Sequence, residues 1–564
     1  MNSKFVAVVC GLCWLLIMAP IANAQVSPGK VQALQKGLDA IAASYEKFSP
    51  KQKEILDGYR NVLHASKTLQ LAAANSGAFS RTGLGTGSGA LAGPQAPGNV
   101  NARGTDQDFS GFDGVTQSET STAVCGNQVV VGFNDSGSEL QTLTFNGGLS
   151  FSGVAVSSDG GVTFKDLGFF NPGPNFSDFV LGDPVLSCSN SGTFFYSQLL
   201  LTFSNGLPSL TSVALSRSND GGNTWGNPAP AISKPAATHF LDKSWHALDS
   251  SNPQRVYVSY TDFDSSGTSA GCPGQLRVGI EVVASTDGGQ TFGNPTIIDE
   301  VCGPNSAVQA SHVAVSSKGT VYVAWERFNP TDTDLRVTSF LPGGQPDPSI
   351  LVDKIVQGGA VIQEINGSIA LLLQGEFRDL VGIDLAVDHS KTATDGQVYV
   401  IWDDGRGKSI PDFFSIFSNG TYNFTDVLVS RSADGQHFSP AARVNADQQP
   451  ATGPGHDHFQ PAIATDSTGK VGVCWYDRRN DSENFQIERF CATSTNSGST
   501  WQEHPVDKTK FAPLHGTDTL TNPNYMGDYD GLASDFTGAN PGFTGAFQVL
   551  TSGLNPDVKA HRFQ

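Results

Sequence analysis

Eight residues, Ser157-Ser-Asp-Gly-Gly-Val-Thr-Phe164, constrain this chain most, because Ser-x-Asp-x-Gly-x-Thr-aromatic returns intact at Ser218–Trp225 and Ser285–Phe292. Two degenerate copies follow: Ser432–Phe438, one residue short, and Ser494–Trp501, with Asn496 in place of the aspartate. Each copy reads as a tight turn. The aspartate bonds backbone N–H groups of its own turn, the second glycine (Gly161 in the first copy) takes positive φ, and the aromatic packs between sheets. The turn positions Asp159, Asp220, Asp287, Asp434 and Asn496 are separated by 61, 67, 147 and 62 residues, so the long gap hides a copy. Leu335–Gly344 occupies the expected place with its aspartate lost. Repeats of this length built from short strands indicate a propeller.

These octapeptides resemble the Asp-box, or bacterial-neuraminidase (BNR) repeat, of the sialidase-like superfamily, and the resemblance covers roughly residues 110–564. The fold class it implies is all-β, a propeller of four-stranded blades. The repeats align when written from each inner strand onward, at Glu119, Asp183, Lys243, Ser311, Ile383, Gln460 and Asp530, which makes seven inner strands. Six turn boxes separate them. The seventh blade then takes 558–563 as its third strand and borrows a strand from around 108–115, a closure that protects sheet edges. A six-bladed ring leaves 530–550 without a place, so seven blades are preferred. Residues 354–380 read as an insertion between blades four and five.

The N-terminus supplies Lys4, an apolar run from Phe5 to Ile21 and the small-x-small pattern Ala22-Asn23-Ala24, the marks of a secretory signal. The expected organisation is a signal peptide (1–24), a helical hairpin (25–75), a Gly/Ala/Ser/Pro linker (76–106) and the propeller (107–564). The hairpin rests on Val31, Leu34, Leu38, Ile41 and Tyr45 sharing one face, and on a capping box, Ser49-Pro-Lys-Gln52, that opens the second helix. No later apolar stretch is long enough to span a bilayer, so a secreted or periplasmic location is expected. Six cysteines remain after the signal, an even number for an oxidising compartment. Cys474 and Cys491 fall on adjacent strands of one repeat, Cys272 and Cys302 on a loop and far edge of another, and Cys125 and Cys188 at equivalent positions in the first two. A formal net charge of −19 opposes nucleic acid and anionic membrane surfaces, although a local basic pocket can still hold a carboxylate.

In the resembled fold the turn boxes lie on one face and the ligand site on the other. That implies a site built from the starts of inner strands (Glu119, Asp183, Asp242, His312, Asp457, His458, Asp528, Tyr529, Asp530) and the ends of second strands (Asn134, Asp135, Asp262, Glu326, Arg327, Asp403, Asp404, Arg406, Tyr476, Asp477, Arg478, Arg479). Sialidases use a tyrosine nucleophile with a glutamate base, an aspartate acid and an arginine cluster that binds the sugar carboxylate. Repeat register, without a motif match, places Tyr529 (or Tyr476) as nucleophile, Glu326 (or Glu119) as base, Asp183 (or Asp135) as acid, and Arg327, Arg406 and Arg478 as the carboxylate clamp. The family's Arg-Ile-Pro signature is absent. The competing reading pairs each arginine with its neighbouring acid, Glu326, Asp404 or Asp477. Asp242, His246, Asp457 and His458 suit calcium or zinc chemically, but capping of turns takes precedence, so no metal ligand is assigned and no cofactor is expected, a structural calcium aside. Trp325, Trp402 and Trp475 hold equivalent positions and read as blade core. The function implied is a secreted glycan-processing enzyme acting on terminal acidic sugars of a glycoconjugate; a non-catalytic propeller binding polysaccharide or protein is the alternative.

Overall fold

The computed structural model describes helical residues at 35, 36, 38, 39 and 43, a strand at 100–101, and then 116–138, 149–170, 179–204, 207–363, 369–375, 377–379, 382–411, 420–513, 526–535, 541–550 and 556–564. Among these residues the chain builds seven antiparallel blades in sequence order, the propeller that the repeats predict. Their inner strands are Gln117–Cys125, Phe179–Cys188, His239–Leu248, Ala307–Val315, Ile383–Val387, His458–Thr465 and Leu532–Ser534. Burial falls outward along blades one to five. The second strand of blade four, Val321–Phe328, is buried at nearly every position, whereas its outermost strand, Ile350–Ile355, is mostly part-exposed. A strand covered on both faces by neighbouring blades has no solvent side, which is why Val-Tyr-Val-Ala-Trp runs are almost continuously apolar.

Blade seven closes the ring from both ends of the propeller. Leu532–Ser534, Phe543–Leu550 and Pro556–Phe563 are followed on the outer edge by Val100–Asn101, with Val100 opposite Ala560. The borrowed strand therefore comes from upstream of the expected 108–115 segment, inside the stretch read as linker; residues 102–115 lie outside those described. The insertion between blades four and five forms its own three-stranded sheet, Ala360–Gln363, Ile369–Leu373 and Phe377–Arg378. Leu38, fully buried, belongs to the apolar cluster that runs through blades two to five. The rest of the expected hairpin, the signal peptide and most of the linker fall outside the described residues.

The turn boxes work as their sequence suggests. In the second copy Asp220 Oδ1 accepts from Ser218 Oγ at 2.7 Å and from the Thr224 N–H at 2.9 Å, while Oδ2 accepts from Thr224 Oγ1 at 2.6 Å. The aromatic of each box enters the seam with the preceding blade. Trp225 packs against Phe170 and Tyr196, and Phe164 lies with Ala546, Val558 and Ala560 of blade seven. Disulfides join Cys125 to Cys188, Cys272 to Cys302 and Cys474 to Cys491. The first ties blade one to blade two, and the last bridges directly opposed residues of two neighbouring strands.

Candidate active site at the channel mouth

Five inner strands carry the same irregularity. Pairing with the second strand slips between Ser118 and Ser121, Gly182 and Val185, Asp242 and Trp245, Gln309 and His312, and Phe459 and Ala462. Within each slip a non-glycine residue takes left-handed backbone: Glu119 (φ 50°), Asp183 (φ 55°), Lys243 (φ 47°), Ala310 (φ 57°) and Gln460 (φ 47°). Such conformations cost about 1–3 kcal/mol each and persist where the surroundings impose them, often beside functional sites. In blades one to three the bulge residues Glu119, Asp183 and Lys243 belong to one buried cluster. It sits at the starts of the inner strands, the end of the blades opposite the turn boxes, which follow the third strands.

Asn134 ties the first two members together. Its Nδ2 donates to Glu119 Oε2 at 2.8 Å and its Oδ1 accepts from the Asp183 N–H at 2.9 Å. Lys243 Nζ lies 3.5 Å from Glu119 Oε1, 3.2 Å from Asp528 Oδ2 and 4.6 Å from the centre of the Tyr529 ring. Tyr529 donates to the Pro184 carbonyl at 3.2 Å and meets Trp245 edge-on, and Trp245 stacks on His312 at 3.8 Å. Part of the Tyr529 surface remains open to a small cleft lined by Lys243, Trp245, Ala310 and His312. Burial, reinforced by the negative charges of Glu119 and Asp242, pushes the Asp183 carboxyl well above the usual carboxylate range, against the opposing pull of Lys243. Burial, with Glu119 and Asp183 alongside, also raises the Tyr529 phenol.

A second group of acids completes the wall. Burial, then Asp379 and Asp528, raises Glu326, whose Oε2 has no hydrogen-bond partner. Burial, then Asp457 and Asp528, pushes Asp379 up to about 8. Asp403 is raised by burial and by Asp379 and Glu326. Arg378 pairs with Asp528, Arg478 with Asp457 at 3.3 Å, and Arg489 with Asp530 at 3.0 Å. Arg378 and Asp379 come from the insertion, and repeat alignment offers no register that would have pointed to them. Lys243 was legible, since it opens its aligned repeat as Glu119 and Asp183 do.

The expected arginine clamp is divided. Arg327 Nη1 donates to Asp299 at 2.5 Å; Arg406 is held by Asp404 (2.7 Å), Asp353 (3.0 Å) and the Lys354 carbonyl (2.6 Å). Arg478 is fully buried against Asp457, the Gln374 carbonyl and the rings of Phe377 and Phe459. Of the three, only Arg478 stands within electrostatic range of Asp379. Other candidates take structural places. Tyr476 is buried and exchanges hydrogen bonds with the Gln548 backbone, and Asp135 caps its own turn through Ser138 and the Gly137 N–H. Asp242 accepts from Gln309 at 2.8 Å. His246 lies between Ser187 and Ser197, and burial pulls it down to about 3, so it is neutral. Asp457 accepts from Tyr422 and Asn484. His458 stands apart from these, with Nδ1 2.9 Å from the Thr425 carbonyl and Nε2 3.0 Å from Asp447 Oδ1, so the four residues considered for a metal do not converge on one point.

No family model matches this chain, and no curated protein does. Among solved structures it is similar to an alpha-L-arabinanase from Penicillium chrysogenum complexed with arabinobiose, with 10% identity and a TM-score of 0.44, covering 84% of this chain and 99% of that one. An alpha-L-arabinofuranosidase from Fusarium graminearum matches with 12% identity and a TM-score of 0.41, covering 83% of this chain and 97% of that one. A leech intramolecular trans-sialidase matches with 10% identity and a TM-score of 0.39, covering 71% and 70%.

Proposed function

We propose that this chain is a secreted, sialidase-like glycoside hydrolase that removes a terminal sugar at the channel mouth. The observation that carries the reading is the set of left-handed bulges that bring Glu119 and Asp183 into one buried cluster with Tyr529, where burial favours the protonated form of Asp183. Glycoside hydrolysis needs a carboxyl group that is still protonated when the leaving oxygen departs and a nucleophile on the other side of the anomeric carbon. Asp183 is the acid and Tyr529 the nucleophile. Glu119, which with Asp183 raises the Tyr529 phenol, is better placed than Glu326 to take its proton, because Glu326 feels Asp379 and Asp528 instead.

As the tyrosyl oxygen bonds to the anomeric carbon, its proton passes to Glu119. The glycosidic C–O bond breaks, and the leaving oxygen takes the Asp183 proton. Water then attacks the tyrosyl–sugar bond, losing its proton to Asp183 while Tyr529 recovers its own from Glu119. A phenol raised by burial is a poor nucleophile unless a base removes its proton as the bond forms, which makes Glu119 necessary. The wall has fewer cations (Lys243, Arg378, Arg478, Arg489) than acids, and each cation already faces a carboxylate. An uncharged sugar therefore suits this mouth better than the acidic sugar expected from the resemblance.

Fluorogenic glycosides of neutral and carboxylated sugars, offered to the purified chain, test this. Turnover of a neutral glycoside that falls at least about a hundredfold in Asp183→Asn is expected. Retained glycan-array binding with no turnover of any glycoside would assign the mouth to binding alone.

A further inference from the structure

We infer that Asn134 is a positioning residue that decides which of two facing carboxyls carries the proton, making Glu119 the base and Asp183 the acid. The inference rests on the hydrolysis proposed above and accounts for two neighbouring acids taking opposite roles in it. Asn134 is fully buried near the end of the second strand of blade one, Gln128–Asp135, opposite Ser118 and beside the bulge that carries Glu119. In blade two the slip between Gly182 and Val185 leaves the Asp183 N–H out of the strand pairing, and Asn134 Oδ1 accepts it at 2.9 Å. A backbone N–H only donates, so the amide cannot be flipped. Its Nδ2 must then face Glu119 Oε2, to which it donates at 2.8 Å. Gly182 permits this approach, since with φ at 96° and no Cβ it leaves the room that Asn134 Oδ1 and the Phe151 ring fill.

A carboxyl group that faces only donors is stabilised without its proton. Lys243 Nζ adds a positive charge 3.5 Å from Glu119 Oε1, so both oxygens of Glu119 face donors. Asp183 lies within hydrogen-bonding reach of Glu119 and keeps the proton of the pair, held there by burial first and then by the charges of Glu119 and Asp242. The other titratable groups around the pair are Asp528, which shares Lys243, and Tyr529 and Asp530, which precede the inner strand of blade seven. Spacing between the two acids is secured by other contacts. Ser121 Oγ accepts from the Leu186 N–H at 2.9 Å, and the Cys125–Cys188 disulfide joins the far ends of the same two strands. Asn134 therefore sets the proton rather than the distance.

The pH profile of the full chain, on whichever glycoside it turns over, tests this with Asn134→Leu, which fills the space and donates nothing. The low-pH limb, where the pair takes up its second proton, is expected to move to higher pH by at least about one pH unit, and kcat at the optimum to fall at least about tenfold. KM should stay near the wild-type value, because Asn134 has no exposed surface to offer a sugar. Asn134→Ala, which admits a water to the Asp183 N–H, should move the limb the same way by less, and it keeps the test should Asn134→Leu fail to fold. The carboxyl 13C signal of Glu119 in glutamate-labelled protein, assigned by its loss in Glu119→Gln, follows the same proton without substrate. A chain that turns over no glycoside thus ends the hydrolysis reading, while that signal still decides where the proton sits. A folded Asn134 variant whose low-pH limb and Glu119 signal titrate as in the wild type overturns the inference, even where kcat or the melting temperature falls.

Discussion

Arginines recur in three consecutive blades because of the tryptophan beneath them. Trp325, Trp402 and Trp475 are fully buried and donate Nε1 to Asp299, Asp404 and Asp477, and the same carboxylates hold Arg327, Arg406 and Arg479. Trp402-x-Asp404-x-Arg406 and Trp475-x-Asp477-x-Arg479 repeat one unit, whereas in blade four Asp299 comes from the outer strand of blade three; either arrangement sets an arginine at the strand end as a ligand clamp would, so sequence register alone does not separate the two. Arg406→Ala should therefore lower the melting temperature and leave turnover unchanged. Hydrogen bonds from a charged group contribute about 1.5–3 kcal/mol, and with 38% of the side chain exposed, screening brings the expected loss to about 1 kcal/mol. A variant that melts like the wild type but loses substrate affinity would return Arg406 to the sugar. Asp379 carries a pH signature. Its carboxyl holds a proton up to about pH 8 in the folded chain, whereas unfolded aspartate loses it near about 4. Folded protein thus binds more protons in that window, and stability falls as pH rises through it. Asp379→Asn removes this slope, so its advantage in urea midpoint over the wild type should be larger at pH 8 than at pH 5. An equal difference at both pH values would mean that Asp379 is ionised in the fold.

At the scale of elements, the turn box shows which substitutions the fold tolerates. In the degenerate fifth copy Asn496 Oδ1 still accepts from the Thr500 N–H at 2.9 Å, and its Nδ2 donates to Thr500 Oγ1 at 2.8 Å, reversing one bond without losing it. Asp220→Asn should accordingly melt close to the wild type and Asp220→Ala clearly lower, by differential scanning fluorimetry. Equal losses in the two variants would mean that charge, rather than the bond pattern, holds the turn. The repeats were legible because box and inner strand recur with fixed spacing; aligned starts at Glu119, Asp183, Lys243 and Gln460 are four of the five left-handed positions, and blade four differs by one residue, at Ala310 rather than Ser311. The bulge itself was not legible, because backbone handedness at Glu or Lys leaves no compositional mark of the kind glycine gives. Nor were Arg378 and Asp379, which reach the channel wall from a non-repeating insertion. The borrowed strand is two residues long, too short for any periodicity, and the register estimate for it fell downstream of Val100–Asn101.

Across the whole molecule, ring closure and cross-links decide how the blades fail. The Cys125–Cys188 bridge spans 63 residues and joins two blades, whereas Cys474–Cys491 spans 17 within one. Loop-closure entropy gives about 4 kcal/mol for the first and about 3 kcal/mol for the second. Each double serine variant should still fold, with the inter-blade pair melting earlier; the reverse order would place the weak seam elsewhere in the ring. The three bridges agree with an oxidising compartment, and among the described residues no helix is long and apolar enough to cross a membrane. On the proposed reading, the left-handed bulges assemble a hydrolytic site around Asp183, Glu119 and Tyr529. Its most direct test is to trap the reaction halfway, with a fluorinated glycosyl fluoride of whichever sugar is turned over, and to map the labelled peptide by mass spectrometry. The predicted result is one sugar per chain on the peptide containing Tyr529, absent in Tyr529→Phe. A label on Glu119, Asp183 or Glu326, or a chain that turns over no glycoside and takes no label, would contradict it.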